Sequence, residues 1–222
     1  MRAIWNGTLS TVRCEPLTLD GLAWPVELHI HPRARRDEAI AWAKRQKPWI
    51  DAQVDRLVPT TAIAPGQALP FDGRELTLEW REGETRRVRL EGDLLWCGGP
   101  RDGFDRRIMA WLRSEALRRL SAETQEIAGA AGVVIAAVAV GDAATRWGSC
   151  SADGRIRFNW RLLLAPPQVR RYVVAHEVAH RRHMDHGAKF HALEEQLFGG
   201  PVEAPRSMLR RIGPGLKRVG LG

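Results

Sequence analysis

Apolar residues recur at helical spacing in some stretches of this chain and alternate with polar ones in others. Phe104, Ile108, Trp111, Leu112, Ala116 and Leu120 fall three or four apart and predict a long helix over about Asp102 to Ala128. Ile40, Ala43, Ile50, Val54 and Leu57 predict a second over Asp37 to Leu57, capped by Asp37 and broken near Pro48. Ala23 to Ile30 reads as a strand, and Pro65 to Pro70 as a turn-rich connector. Leu76, Leu78 and Trp80 alternate, Gly83 turns the chain, and Val88 and Leu90 follow, which predicts a hairpin.

Val133 to Val140, Thr145 to Cys150 and Arg155 to Phe158 read as three strands of a meander, with Asp153-Gly154 turning between the last two. Asn159 can cap a short helix that Pro166-Pro167 ends, and a further helix is expected from about Gln168 to His183. The tail from Pro201 is rich in Pro, Gly and Arg and is expected to be partly mobile. Gly98-Gly99-Pro100 is the clearest break. It divides a β-rich region with one helix, 1–99, from a second region, 100–222. The fold class expected is α+β.

Composition adds little to this. The chain has 222 residues, 44% hydrophobic and 27% charged, the profile of a globular protein. A net charge of +8 favours anionic partners such as nucleotides or nucleic acid without identifying one. Cys14, Cys97 and Cys150 form no C-x-x-C pair and argue for a reducing compartment. Met1 to Ser10 lacks the order of a signal peptide, and the apolar run Ala130 to Val140 falls short of the roughly 20 residues that span a bilayer. A cytoplasmic protein without a membrane partner is expected.

The strongest chemical signal is His176-Glu177-Val178-Ala179-His180. Residues four apart on a helix lie one turn apart on the same face, so two imidazoles there can grip one ion. Glu177 is rotated beside them, where it can polarise a water on the metal. Zinc fits this role because it takes His nitrogen, has no redox chemistry and lowers the pKa of bound water to about 7. With 7 histidines in the chain, H-E-x-x-H arises by chance only about 0.015 times. The apolar lead-in Tyr172-Val173-Val174-Ala175 marks a buried helix, a costly place for ionisable groups without a purpose.

A third ligand is needed. His183 would sit roughly 7 Å along the helix axis from a metal between the first two. His186 is the better candidate, since Met184-Asp185-His186-Gly187 can leave the helix, with Gly187 permitting a reversal. Glu194 or Glu195 are the alternatives, otherwise outer-shell or surface residues. Three protein ligands leave a fourth position for water and point to catalysis. Such a site accepts cobalt or nickel as well as zinc.

The set Thr145-Arg146-Trp147-Gly148-Ser149-Cys150-Ser151, Gly154, Asn159, Tyr172-Val173-Val174, H-E-x-x-H, His186 and Phe190 resembles the YgjP-like metallopeptidase family. These are small gluzincin-type proteins related to the SprT-like proteases. The likeness is dense from about Thr145 to Phe190 and fainter through Asp102 to Leu120. It implies that His176, His180 and His186 hold one Zn2+ per chain and that Glu177 is the base. It also implies a small antiparallel sheet over the H-E-x-x-H helix, with the strand near Arg155 to Phe158 as an edge able to pair with an extended peptide. The chain departs from the family pattern at Asp185, Gly187 and His191, where Asn, Ser and Trp are usual. Asp185 is a candidate hydrogen-bond partner of a ligand histidine. Trp147, Cys150 and Tyr172 read as packing residues.

The function expected is therefore zinc-dependent hydrolysis of peptide or protein substrates by Glu177-activated water. Arg146, Arg155 and Arg157 are the candidate substrate-binding residues. An alternative keeps the metal and hydrolyses a nucleoside triphosphate, with these arginines and Arg161 on phosphates, although no P-loop is present. A second alternative is a nucleic-acid-associated protein contacting phosphates through Arg206, Arg210, Arg211, Lys217 and Arg218, without a recognisable reading module.

Overall fold

A computed structural model describes residues 10–13, 17–19, 22–24, 27–30, 35–46 and 60–220. The chain divides into two compact units, Met1–Val58 and Pro59–Gly222. Gly98-Gly99-Pro100 lies inside the second of them.

In the first unit β1 (Ser10–Arg13) pairs with β4 (Glu27–Ile30), and β2 (Leu17–Leu19) with β3 (Leu22–Trp24), both antiparallel. The stretch expected as one strand over Ala23 to Ile30 is thus two. Helix α1 spans Arg36–Arg45, with Asp37 and Glu38 in its first turn, where carboxylates suit the helix dipole. The rest of the helix expected to Leu57 lies outside the described residues.

The second unit is α+β with two small mixed sheets. The first has the order β5 (Ala68–Phe71), β6 (Arg74–Trp80), β8 (Leu94–Cys97), β7 (Arg89–Glu91). The connector expected at Pro65 to Pro70 therefore carries a strand. The hairpin expected around Gly83 does not form: β6 pairs antiparallel with β5 and parallel with β8. The two-residue turn Asp72-Gly73, with φ of 54° and 84°, closes the first true hairpin, because both positions need the left-handed region that Gly and Asp tolerate. Strand β8 takes the interior position because Leu95, Trp96 and Cys97 are all buried, whereas Arg89 and Glu91 suit β7 to an edge.

Helix α2, Phe104–Ala131, buries Phe104, Ile108, Leu112, Ala116 and Leu120, the face that the periodicity marks. It runs three residues past the expected end and stops at Gly132, whose φ of 60° lets its N–H return to the Ala128 carbonyl. The second sheet has the order β10 (Gly148–Cys150), β11 (Arg155–Asn159), β9 (Ala137–Gly141). It is not an antiparallel meander. β11 is central, antiparallel to β10 and parallel to β9, so the segment expected as a peptide-accepting edge is paired on both sides. Ile156 and Phe158 enter the core, which selects β11 for the middle. Gly154 turns at φ 87° as expected.

Asn159 caps a 3-10 turn, Trp160–Leu164, by accepting from the Arg161 N–H at 3.0 Å. Helix α3, Pro167–Ala179, opens with proline at its first position, where no N–H is needed. It ends four residues before the expected His183. Val169, Val173, Val174, Ala175, Val178 and Ala179 bury it on most sides. Its one deeply buried cation, Arg170, pairs with Asp72 at 2.6 Å and Glu123 at 2.7 Å. Helix α4 spans Ala188–Phe198. The expected mobile tail is instead helix α5, Glu203–Lys217. Pro205, Gly213 and Leu216 of α5 are buried, and beyond it the Gly220 N–H reaches the Thr61 carbonyl at 2.9 Å. Among the described residues no helix is long and apolar enough to cross a membrane.

Candidate metal centre

The last turn of α3 carries His176 and Glu177, and His180 caps it with α-helical backbone angles. The chain then turns through Arg181 to Gly187 into α4. Arg182 donates to the Ala131 carbonyl at 2.8 Å, and Arg181 to the Ala152 carbonyl at 2.9 Å, which anchors the start of this loop to two neighbouring segments. Gly187 has φ −75°, available to any residue, so the reversal expected of it is not a glycine conformation. The loop returns His186 to the helix, and one ring nitrogen from each of His176, His180 and His186 lies within 4.8 Å of the others.

The geometry of these rings suits a metal ion. Nε2 of His176 and Nε2 of His186 are 3.4 Å apart. A tetrahedral ion with metal–nitrogen bonds of about 2.0–2.1 Å sets its ligands about 3.4 Å apart. Two of the remaining ring nitrogens are occupied on the far side. His176 Nδ1 lies 2.7 Å from Glu194 Oε1, and His180 Nδ1 lies 3.1 Å from the His183 carbonyl. Each contact fixes a tautomer that leaves Nε2 as the lone-pair nitrogen. Burial pushes the His180 imidazole below its ordinary pKa, toward the neutral form that ligates. Phe190, fully buried, lies under all three rings at centroid distances of 4.7–5.0 Å.

Glu194 thus bonds to His176 on the side away from the three-histidine cluster. It is 0% exposed, and its second oxygen contacts His191 Nδ1 at 3.2 Å and accepts from Arg206 at 3.0 Å. Burial opposes its charge, but the hydrogen bonds from His176 and His191 and the Arg206 charge outweigh it, holding the carboxyl below the usual range. Arg206 also donates to the Tyr172 hydroxyl at 3.2 Å. The sequence gives no sign of Arg206 in this role, because the contact joins α5 to α4 with no local signal. Glu195 is exposed. Removing the guanidinium (Arg206→Ala) leaves the buried Glu194 short of a donor and is expected to weaken metal affinity about 10- to 100-fold, as a zinc competition titration would read. Glu194→Gln should do the same.

Glu177 is 5% exposed and sits beneath β10. A Cβ at Gly148 would lie 2.3 Å from Glu177 Oε1, so the missing side chain is what admits the carboxylate. Burial pushes Glu177 up to about 7, against the lowering charges of His176 and Arg146. Gly148→Ala would displace this carboxylate without touching the histidines. It is expected to cut hydrolysis at least about tenfold while zinc stoichiometry is kept, checked by parallel activity and metal assays.

The remaining expected residues are placed as follows. Arg146 and Arg157 are exposed and line a cleft of about 260 Å³ that also touches Gly148. Arg155 turns to Asp153 at 3.0 Å instead. Arg161 is buried, donating to the Val219 carbonyl and paired with Asp142, and is not free for a ligand. Asp185 is exposed and makes no hydrogen bond to a histidine among the described residues. Of the tail cations, Arg206 and Arg210 pair with carboxylates, and Lys217 donates to the Ala143 and Arg146 carbonyls.

Fold and site together define an α+β protein with a three-histidine cluster able to hold a metal ion and a buried carboxylate beside it. A family model for the YgjP-like metallopeptidase domain matches residues 23–211, and the chain belongs to that family. It is thus a hydrolase of the metallopeptidase type. No curated protein and no solved structure matches the chain.

Proposed function

We propose that this chain is a zinc peptidase in which His176, His180 and His186 hold the ion and Glu177 is the general base. The observation that carries this reading is the 3.4 Å separation of the His176 and His186 Nε2 atoms, with the His176 and His180 Nδ1 atoms tied back. Bound there, zinc would polarise the scissile carbonyl and lower the pKa of a water. Glu177 would take the proton from that water on a carboxylate oxygen and return it to the leaving amine. Its dry setting raises its basicity toward neutrality, where a base of this kind transfers protons efficiently. Among the described residues β10 pairs with β11 alone, and its other edge, beside Glu177, can take an extended peptide as an added strand.

The test is cleavage of an unfolded, fluorescently quenched protein by zinc-loaded chain. The reading expects cleavage that a chelator stops and added zinc restores. Absence of cleavage at one zinc per chain, across several unfolded proteins, would overturn the peptidase reading.

A further inference from the structure

The cleft beside the metal centre has features that water-polarising chemistry does not use. Its lining includes Gly141, Asp142, Arg146, Trp147, Gly148 and Arg157. Gly148 belongs to both places: it lines the cleft and packs on Glu177. The cleft therefore borders β10, the strand that covers Glu177.

Two guanidinium groups enter this cleft without an acidic partner within 4 Å among the described residues, Arg146 and Arg157. Arg157 lies against the backbone of β9. A Cβ on Gly141 would lie 2.5 Å from Arg157 Nε and 2.7 Å from its Nη2, so the guanidinium occupies the space that the missing side chain leaves. Its neighbour on the same strand face, Arg155, swings away to Asp153. The one carboxylate in the cleft wall, Asp142, is committed to Arg161 and the Trp160 indole. The cleft is left with a net positive interior and planar, forked donors, the geometry that a carboxylate fits. A triphosphate chain carries more negative charge than two arginines offset.

We propose that this cleft is a subsite for a carboxylate carried by the peptide substrate, bound by Arg146 and Arg157, so that acidic peptides are preferred. The proposal rests on the peptidase reading for the word substrate, but the subsite is tested by binding alone. Zinc-loaded Glu177→Gln protein would be titrated with capped alanine peptides carrying one Glu walked along the chain, beside the same series with Gln. A third series, all alanine with a free C-terminus, separates a terminal carboxylate from a side-chain one. At one position of the Glu series, or in the free-terminus series, binding should be at least about tenfold tighter than for the uncharged counterpart. The difference should vanish in Arg146→Gln and Arg157→Gln. It should also shrink in Gly141→Ala, which keeps both charges but puts a methyl group where the Arg157 guanidinium lies. Equal affinity for charged and neutral peptides, no binding by either, or tighter binding of a nucleoside triphosphate at the same two arginines would overturn the subsite. Acidic preference without cleavage by wild type would spare the subsite and remove the peptidase reading. Cleavage without acidic preference would do the reverse.

Discussion

Glu177→Gln is expected to lower peptide hydrolysis by about 10²- to 10⁴-fold while the protein still binds one zinc. The amide fills the same space under Gly148 but cannot accept a proton. The same substitution should stabilise the metal-free fold. Burial holds Glu177 at about 7 against 4.5 for an exposed carboxyl, so between these pH values the folded chain binds the proton that the unfolded chain has released. Stability from this group is therefore complete at low pH and is lost as pH rises toward 7. Above pH 7 the buried charge costs up to about 3 kcal/mol, which the neutral amide avoids. Thermal melts of the metal-free pair at pH 5 and pH 8 check this: the variant should gain at pH 8 and not at pH 5. A variant that hydrolyses peptides as wild type does would remove Glu177 from the chemistry, whatever its stability.

His186→Ala is expected to weaken zinc binding about 100-fold or more, because one of three ligands is lost from a site whose affinity derives from all of them. The fold should barely notice. His186 is exposed on a loop, and exposed substitutions usually stay within about 0.5 kcal/mol. His176→Ala makes an instructive contrast. It removes the donor to Oε1 of the fully buried Glu194, leaving His191 and Arg206 on Oε2, so it should destabilise the metal-free protein by about 1–3 kcal/mol in addition to losing zinc. Denaturant melts and zinc competition on both variants separate ligand loss from network loss. Equal stability losses in the two would contradict the roles assigned to Glu194 and His186.

Much of the site was legible because it is local. His176, Glu177 and His180 share a helix, so their spacing alone places them on one side of it, and His186 follows within one short loop. The long helix α2 was legible for the same reason: Phe104, Ile108, Leu112, Ala116 and Leu120 repeat every fourth residue. What the sequence did not disclose is pairing at a distance. Asp72-Gly73 is a strong turn signal, but Pro65 to Pro70 beside it masked the strand β5. The insertion of β8 between β6 and β7, and of β11 between β10 and β9, depends on how their apolar residues pack into the core, a tertiary outcome. Helix α5 contains Gly213, Pro214 and Gly215, poor helix formers, and is held by packing: Gly213 fits against Trp147, and Leu216 is buried. With that helix misread as a mobile tail, Arg206 looked like a free cation instead of the clamp on Glu194.

X-ray absorption at the zinc edge of protein loaded with one equivalent of zinc tests the central claim most directly. The account predicts three imidazole nitrogens and one oxygen at about 2.0–2.1 Å, with one imidazole lost in His186→Ala. A wild-type spectrum with a thiolate ligand, or with two imidazoles or fewer, would contradict it.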